Sequence, residues 1–358
     1  MCGTIGMFVG CAALTFCPGN QQRPGLRDGG AGTPGPDSET TVGGASYRSP
    51  MGNWHDRATV RTSPRRRIPD EAKSLLFFSP DMVPVAAHPL VRALPDDVFR
   101  QILIQHLYRY LDFTAKLESI VVNRTVLGIA LGTVGVRLPP GMRLDAHKIY
   151  CDEAYHTLIC ADLASQVRAV TGVEPRLPGE PFFLHRLAEI QDAIPPEFRS
   201  LAELLFVIVS ETLISATLAE IPDSADVVGA VRETVSDHAG DEGRHHAYFA
   251  LFLKLLWGQL TPAERERAGV WVPRLADAFL RPDVAAIRDE LADYGMPPED
   301  IETVLAEVFP ASVMDTHRSH VARYTLRYFT ELDAFDTQQS QQELADHGFS
   351  LPAAGARR

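Results

Sequence analysis

From about residue 95 onward, apolar positions recur every three or four residues, the spacing of a helix that buries one face. Long segments of this kind run over roughly 95–132, 145–171, 196–220, 223–258 and 311–333, with shorter ones at 181–193, 271–281, 283–294 and 298–309. No alternating apolar and polar run is long enough to make a convincing strand, and no repeat of solenoid period is present. Proline and glycine punctuate the gaps, with PPG at 139–141, PGEP at 178–181, PP at 195–196, IPD at 221–223 and PPED at 297–300. Asp223 suits the N-cap of the 223–258 segment and Asp145 that of the 145–171 segment. The fold class expected is all-α.

The chain before residue 67 reads differently. Thr4 to Phe16 is apolar but has no preceding basic residue and is too short to span a bilayer, so it fits neither a secretory signal nor a membrane helix. Pro18 to about Pro69 is dense in Gly, Pro, Ser, Thr and Arg, a composition with too little apolar surface to offset the entropy of ordering. Residues 1–66 are therefore expected to be mostly disordered. The whole chain has 358 residues, 45% hydrophobic and 22% charged, which places it among globular proteins. A net charge of −12 argues against a phosphate-backbone partner, since such binders cluster Lys and Arg. The five cysteines (Cys2, Cys11, Cys17, Cys151 and Cys160) are odd in number and three fall within the first seventeen residues, so no disulfide framework is implied and a reducing cytoplasm is expected.

Chemistry enters on the helical faces. In SDHAGDEGRHHAYFA, residues 236–250, His238, Glu242 and His245 stand at i, i+4 and i+7, one stripe of a helix where leucines would ordinarily pack. The motif Asp-Glu-x-x-His occurs here as DEGRH at 241–245 and again as DEAYH at 152–156, placing Glu153 and His156 on one face of an earlier helix. Glu211 is the only charged residue in LLFVIVSETLISATL, residues 204–218. A carboxylate buried there must be protonated, paired or bound to a cation, because burial without a partner costs several kcal/mol. Glu118 lies on the face marked by Leu111, Ala115, Val122 and Thr125. Along four successive long helices the order is thus Glu, Glu-x-x-His, Glu, Glu-x-x-His. That order is the layout of a four-helix bundle in which carboxylates bridge two metal ions. Four glutamates balance two divalent ions, and neutral imidazoles suit iron. Asp152 and Asp241 are placed to accept the free ring N–H of the opposite motif's histidine, Asp241 serving His156 and Asp152 serving His245. His238 lies one turn before Glu242, which would let it reach the same ion as Glu242 and His245.

With that third histidine, the series Glu118, Glu153, His156, Glu211, His238, Glu242 and His245 resembles the seven-ligand pattern of the AurF-type arylamine N-oxygenases. These include the p-aminobenzoate enzyme and the chloramphenicol-pathway oxygenase. The resemblance covers about residues 95–255. It implies a ferritin-like fold; the domain, with its additional helices, is expected over 67–345, followed by a flexible tail at 346–358. It further implies a diiron centre, O₂ as co-substrate, and oxidation of an aryl amine to a nitroarene through hydroxylamine and nitroso stages, in antibiotic or other secondary metabolism. The implied partners are a small aromatic amine and an external electron donor or reductase, with neither nucleic acid nor membrane. A homodimer is one assembly open to it.

Other readings stay open on the residues alone: a hydroxylase or acyl desaturase on the same scaffold, a non-enzymatic iron-binding protein, or a helical module without metal. His106 and His246 read as packing residues, and the pair His317 and His320 as structural or pocket-lining. Tyr155, Tyr248 and Tyr324 are candidate substrate or radical side chains, though buried tyrosines usually pack. Leu205, Ile208, Val122 and Phe249 are expected to form a slot for a flat ring, with His317 or Arg323 near its substituent. No phosphate-binding glycine loop or nucleophile elbow is present.

Overall fold

The computed structural model describes residues 41–42, 45–218 and 224–351. Apart from a two-residue ladder pairing Thr41–Val42 with Ala45–Ser46, the described elements are helical. Two single turns, α1 (Trp54–Arg57) and α2 (Thr59–Thr62), and a third, α3 (Pro89–Arg92), precede α4 (Asp96–Lys116). A π-helical stretch, Leu117–Val122, joins α4 to α5 (Asn123–Leu131) without a break in the chain's course. Then come α6 (Pro140–Thr171), α7 (Phe182–Ala193), α8 (Arg199–Leu218) and α9 (Gly229–Trp257). The C-terminal part adds α10 (Pro262–Leu280), α11 (Val284–Asp293), α12 (Pro298–Val308), α13 (Ala311–Thr330) and α14 (Gln338–Asp346).

The pairings fix the topology. Arg143 of α6 donates to Ala130 O of α5, while Thr157 reaches Ala115 O of α4, so α6 runs antiparallel to the first long helix. His156 meets Asp241 and His245 meets Asp152, so α6 and α9 are also antiparallel. α8 packs against α9, and Ser215 donates to Glu242 O across that seam. The connection between α6 and α8 is long and carries α7. This is the ferritin-like form of the four-helix bundle, two antiparallel hairpins joined by a crossover. α10 and α13 cover the far side of α8, which explains why α8 is apolar almost all round. Its stretch Pro196–Leu218 is the one helix among the described residues long and apolar enough to cross a membrane, and 83% of that window is buried inside the protein.

Where sequence and structure differ, the cause is local. Residues 47–66, assigned to a disordered arm, are packed: Met51 and Ala58 are fully buried and Trp54 nearly so. Few apolar residues are needed there, because the segment lies on the α6–α9 seam and is held by hydrogen bonds at both ends. Residues 1–40 fall outside the described residues. Asp145 does not cap α6, which starts five residues earlier at Pro140, a residue suited to the first turn because its missing N–H has no partner there. Asp223 lies outside the described residues, and α9 starts at Gly229. α10 begins at Pro262 with a capping box of Thr261 and Glu264, and carries Pro273 in its interior. Its charged first half hid it from a search for apolar periodicity, as the polar composition of α14 hid that helix. Within the tail assigned to 346–358, Phe349 is buried and bonded to Leu344 O; residues 352–358 lie outside the described residues.

Candidate metal centre

Each helix of the bundle brings its residue to one buried point halfway along its length. Glu118, Glu153, His156, Glu211, His238, Glu242 and His245 are all 2% exposed or less. Glu118 sits in the π-helical stretch, where an extra residue per turn re-aims side chains locally, a feature frequent at functional sites. Two groups of four could each hold a metal ion: Glu118, His156, His238 and Glu242 in one, Glu153, Glu211, Glu242 and His245 in the other, with ligand atoms in each group within 4.8 Å of one another.

The two halves share carboxylates. Glu153 places one oxygen 3.0 Å from His156 Nδ1 and the other 2.8 Å from His245 Nδ1. Glu242 Oε1 is 3.1 Å from His238 Nε2 and 3.3 Å from His245 Nδ1. Glu118 and Glu211 stand at the two ends, Glu118 3.0 Å from His238 and Glu211 3.9 Å from His245. His238 therefore belongs with His156, whose ring centroid is 4.4 Å away. The expectation that it shares an ion with His245 is corrected: His238 groups with Glu118 and His156, and His245 with Glu153 and Glu211, with Glu242 in both groups.

Behind each histidine stands the carboxylate of the other motif. Asp241 is 3.0 Å from His156 Nε2 and Asp152 is 3.1 Å from His245 Nε2, the crossed pairing anticipated from the doubled motif. With Nε2 so engaged, Nδ1 of both rings faces the cluster. The sequence did not reveal what holds the aspartates. Trp54 Nε1 donates to both oxygens of Asp152 at 2.8 Å. The hydroxyl of Thr59 and the guanidinium of Arg244 bond to Asp241. The signal available was Tyr47 and Trp54 themselves, aromatics that are scarce in disordered segments.

The electrostatics are those of crowded donors. Burial, reinforced by Glu153 and Glu242, holds the Glu211 carboxyl well above its ordinary range. Burial also lifts Glu118, against the pull of His238 and His156, to about 7. Burial disfavours the charged imidazoles too, but Glu153 and Glu242 override it at His245, and the bonds to Asp241 and Glu153 override it at His156, raising both. Both oxygens of Glu118, one each of Glu153, Glu211 and Glu242, and Nδ1 of His245 have no hydrogen bond. Buried polar atoms are rarely left so. Glu153 and His245 approach within 2.8 Å without hydrogen-bond alignment, as expected when lone pairs aim at a third body between them. Four carboxylates and three imidazoles fit a pair of divalent cations in number, charge and softness.

A model of the p-aminobenzoate N-oxygenase AurF family matches residues 49–333. The chain belongs to that family. The AurF match begins two residues before Met51, so it takes in the segment that carries Trp54 and Thr59 as well as the bundle.

The remaining candidates separate. His246 bonds Tyr328 at 2.8 Å, and His106 packs 3.5 Å from Glu290. His317 is buried on α13, Tyr248 donates to Met142 O, and Tyr324 is exposed beneath Arg323. Val122, Leu205, Ile208 and Phe249, expected to form a slot, are fully buried core residues. An aromatic cleft opens between α4, α7 and α10, with Tyr110, Phe113, Phe183 and Phe279 as walls and Arg109 and Arg281 at its polar edge. The sequence concealed it, because α7 is remote along the chain from both partners.

Proposed function

We propose that the chain is a diiron N-oxygenase that oxidises a primary aryl amine to the nitroarene, with O₂ as co-substrate. The observation that carries this reading is the seven-donor cluster with two shared glutamates, set in a chain of the AurF family. Glu118, His156 and His238 would hold one iron, Glu211 and His245 the other, with Glu153 and Glu242 reaching both. Bound iron would supply the electrons and coordination positions that O₂ activation needs. The protein's part is to keep four carboxylates in a dry interior and to orient the imidazoles through Asp152 and Asp241.

Electron balance defines the partner required. Conversion of an amine to a nitro group removes six electrons and inserts two oxygen atoms. Two O₂ molecules taken to nitro oxygen and water accept eight electrons, so an external donor must supply two. The aromatic cleft supports a flat substrate. Phe113 lies five residues before Glu118, and Phe183 stacks at 6.4 Å on Phe206, which lies five residues before Glu211. The cleft thus abuts both helices that carry the terminal glutamates, and the arginines at its edge are themselves paired, Arg109 with Glu290 and Arg281 with Asp277.

The test is to load the protein with iron, reduce it, and expose it to a panel of para-substituted anilines under ¹⁸O₂. A nitro product with both oxygens labelled is expected. Oxygen consumption with the amine untouched, or hydroxylation or desaturation of an alkyl chain, would transfer the assignment to another oxidase of the same scaffold.

A further inference from the structure

The segment from Tyr47 to Ile68 runs alongside α6 in constant register. Tyr47 bonds Asp145, Trp54 bonds Asp152, Arg65 bonds Asp162 and Ile68 N bonds Gln166, partners 98, 98, 97 and 98 residues apart. It also reaches across to α9, where Thr59 meets Asp241 and Arg66 meets Asp237 at 2.8 Å. The segment is thus a strap over the α6–α9 seam. It bonds three buried carboxylates, Asp145, Asp152 and Asp241, and the last two are the pair that face the cluster histidines.

We infer that Trp54 and Thr59 are positioning residues of the metal centre, each setting one half of it through an aspartate and a histidine. The inference rests on the metal-centre reading above. One relay runs Trp54, Asp152, His245 and the other Thr59, Asp241, His156. In both, a strap donor fixes the carboxylate, the carboxylate accepts the Nε2 proton, and Nδ1 is thereby presented to the cluster.

The two relays are unequal. Asp152 receives one neutral indole donor besides the imidazole, at 2.8 Å. Asp241 receives the Thr59 hydroxyl and backbone N–H together with the Arg244 guanidinium. Each added donor, and a cationic one above all, withdraws electron density from the carboxylate and weakens its pull on the imidazole proton. His245 therefore has the stronger carboxylate behind it and becomes the better donor to its ion. His156 has the weaker, and its half is the one given His238 as an additional nitrogen. The strap makes the two positions chemically distinct.

The experiment titrates Co²⁺, whose absorption reports ligand geometry, into the metal-free full-length chain in competition with a chelator. The variants are Thr59→Val, Thr59→Ser and Trp54→Phe, with His238→Ala marking the step that belongs to the His156 half. Thr59→Val should weaken the step marked by His238→Ala by about 10–100-fold, and Trp54→Phe the other step by a similar factor, which is the usual cost of losing a hydrogen-bond partner behind a ligand. Thr59→Ser should restore affinity and spectrum, because it keeps the hydroxyl. If both variants take up both ions as the wild type does, or if Thr59→Ser binds as weakly as Thr59→Val, the strap only packs and the inference is wrong. A wild-type chain that takes up no Co²⁺ would remove the metal-centre reading and this inference together.

Discussion

Replacing Glu211 by Leu should make the metal-free protein more stable and the metal-loaded protein less so. Glu211 is 2% exposed, one of its carboxyl oxygens has no hydrogen bond, and Glu153 and Glu242 crowd it with like charge. Leaving a buried acceptor unsatisfied costs about 1–3 kcal/mol, and a leucine of similar size adds about 2 kcal/mol of apolar burial. Allowing for imperfect packing, the metal-free variant should gain about 2–4 kcal/mol, or roughly 3–5 °C in Tm for a chain of this size. The loaded protein reverses the sign. Three carboxylates cannot neutralise two divalent ions in a dry interior, so the Glu211→Leu variant should retain at most one. It would forgo the linkage stabilisation of the lost ion, about 4.1 kcal/mol when free metal is a thousandfold above Kd, which outweighs the gain of about 2–4 kcal/mol. Differential scanning calorimetry with and without Fe²⁺ under anaerobic conditions, together with metal analysis, measures both signs. Two irons per chain in the variant, or a fall in the metal-free Tm, would refute the view that this site stores instability until metal arrives.

His238→Ala should weaken one of the two Co²⁺ steps by more than about tenfold and leave the other unchanged, since His238 groups with Glu118 and His156 and not with His245; loss of both steps in parallel would restore the arrangement expected from sequence. His317 supplies a pH dependence outside the cluster. Burial, with help from His320 and Arg318, lowers its pKa to about 4, against about 6.5 in the unfolded chain. Between those values the unfolded chain holds a proton the folded chain lacks, so stability falls as pH drops from about 6.5 to 4, by about 3 kcal/mol in total. His317→Gln should flatten that part of the stability curve relative to wild type, read by urea unfolding at successive pH values, and an unchanged curve would show that the ring is protonated in place.

The donors were legible in the sequence because metal ligation imposes a strict local grammar. Glu-x-x-His works only at helical spacing, and Glu211 stands out because everything around it is apolar. The crossed relays to Asp152 and Asp241 were legible for the same reason, since the doubled motif fixes both sides of one antiparallel seam. The strap was not. Its donors, an indole N–H and a threonine hydroxyl, are ordinary surface groups that gain meaning only from partners 98 and 182 residues away. The π-helical turn at Glu118 escaped as well, because its apolar neighbours fit an α-helical period equally well. The aromatic cleft depends on how α7 and α10 dock, and such docking is a matter of side-chain shape rather than of pattern.

The assignment of His238 shows how far one helix can determine a two-metal site. An ion held by nitrogen at about 2.0–2.2 Å allows two donors to stand at most about 4.4 Å apart. His238 and His245 start about 10.5 Å apart in helix rise and lean toward one another onto Glu242 Oε1, 3.1 and 3.3 Å away, yet they fall in different groups of donors. Glu242, four residues after one and three before the other, lies between them and falls in both groups of donors. A stripe of His, Glu and His at i, i+4 and i+7 therefore carries one end of each half and a shared carboxylate on a single rigid element. α6 repeats the device with Glu153 reaching both His156 and His245. With two such rods antiparallel and strapped together by residues 47–68, the bundle need only supply Glu118 and Glu211 from its other two helices. Those two positions are the ones where the chain shows local irregularity or isolated charge: the π-helical turn around Glu118, and the lone carboxylate of α8.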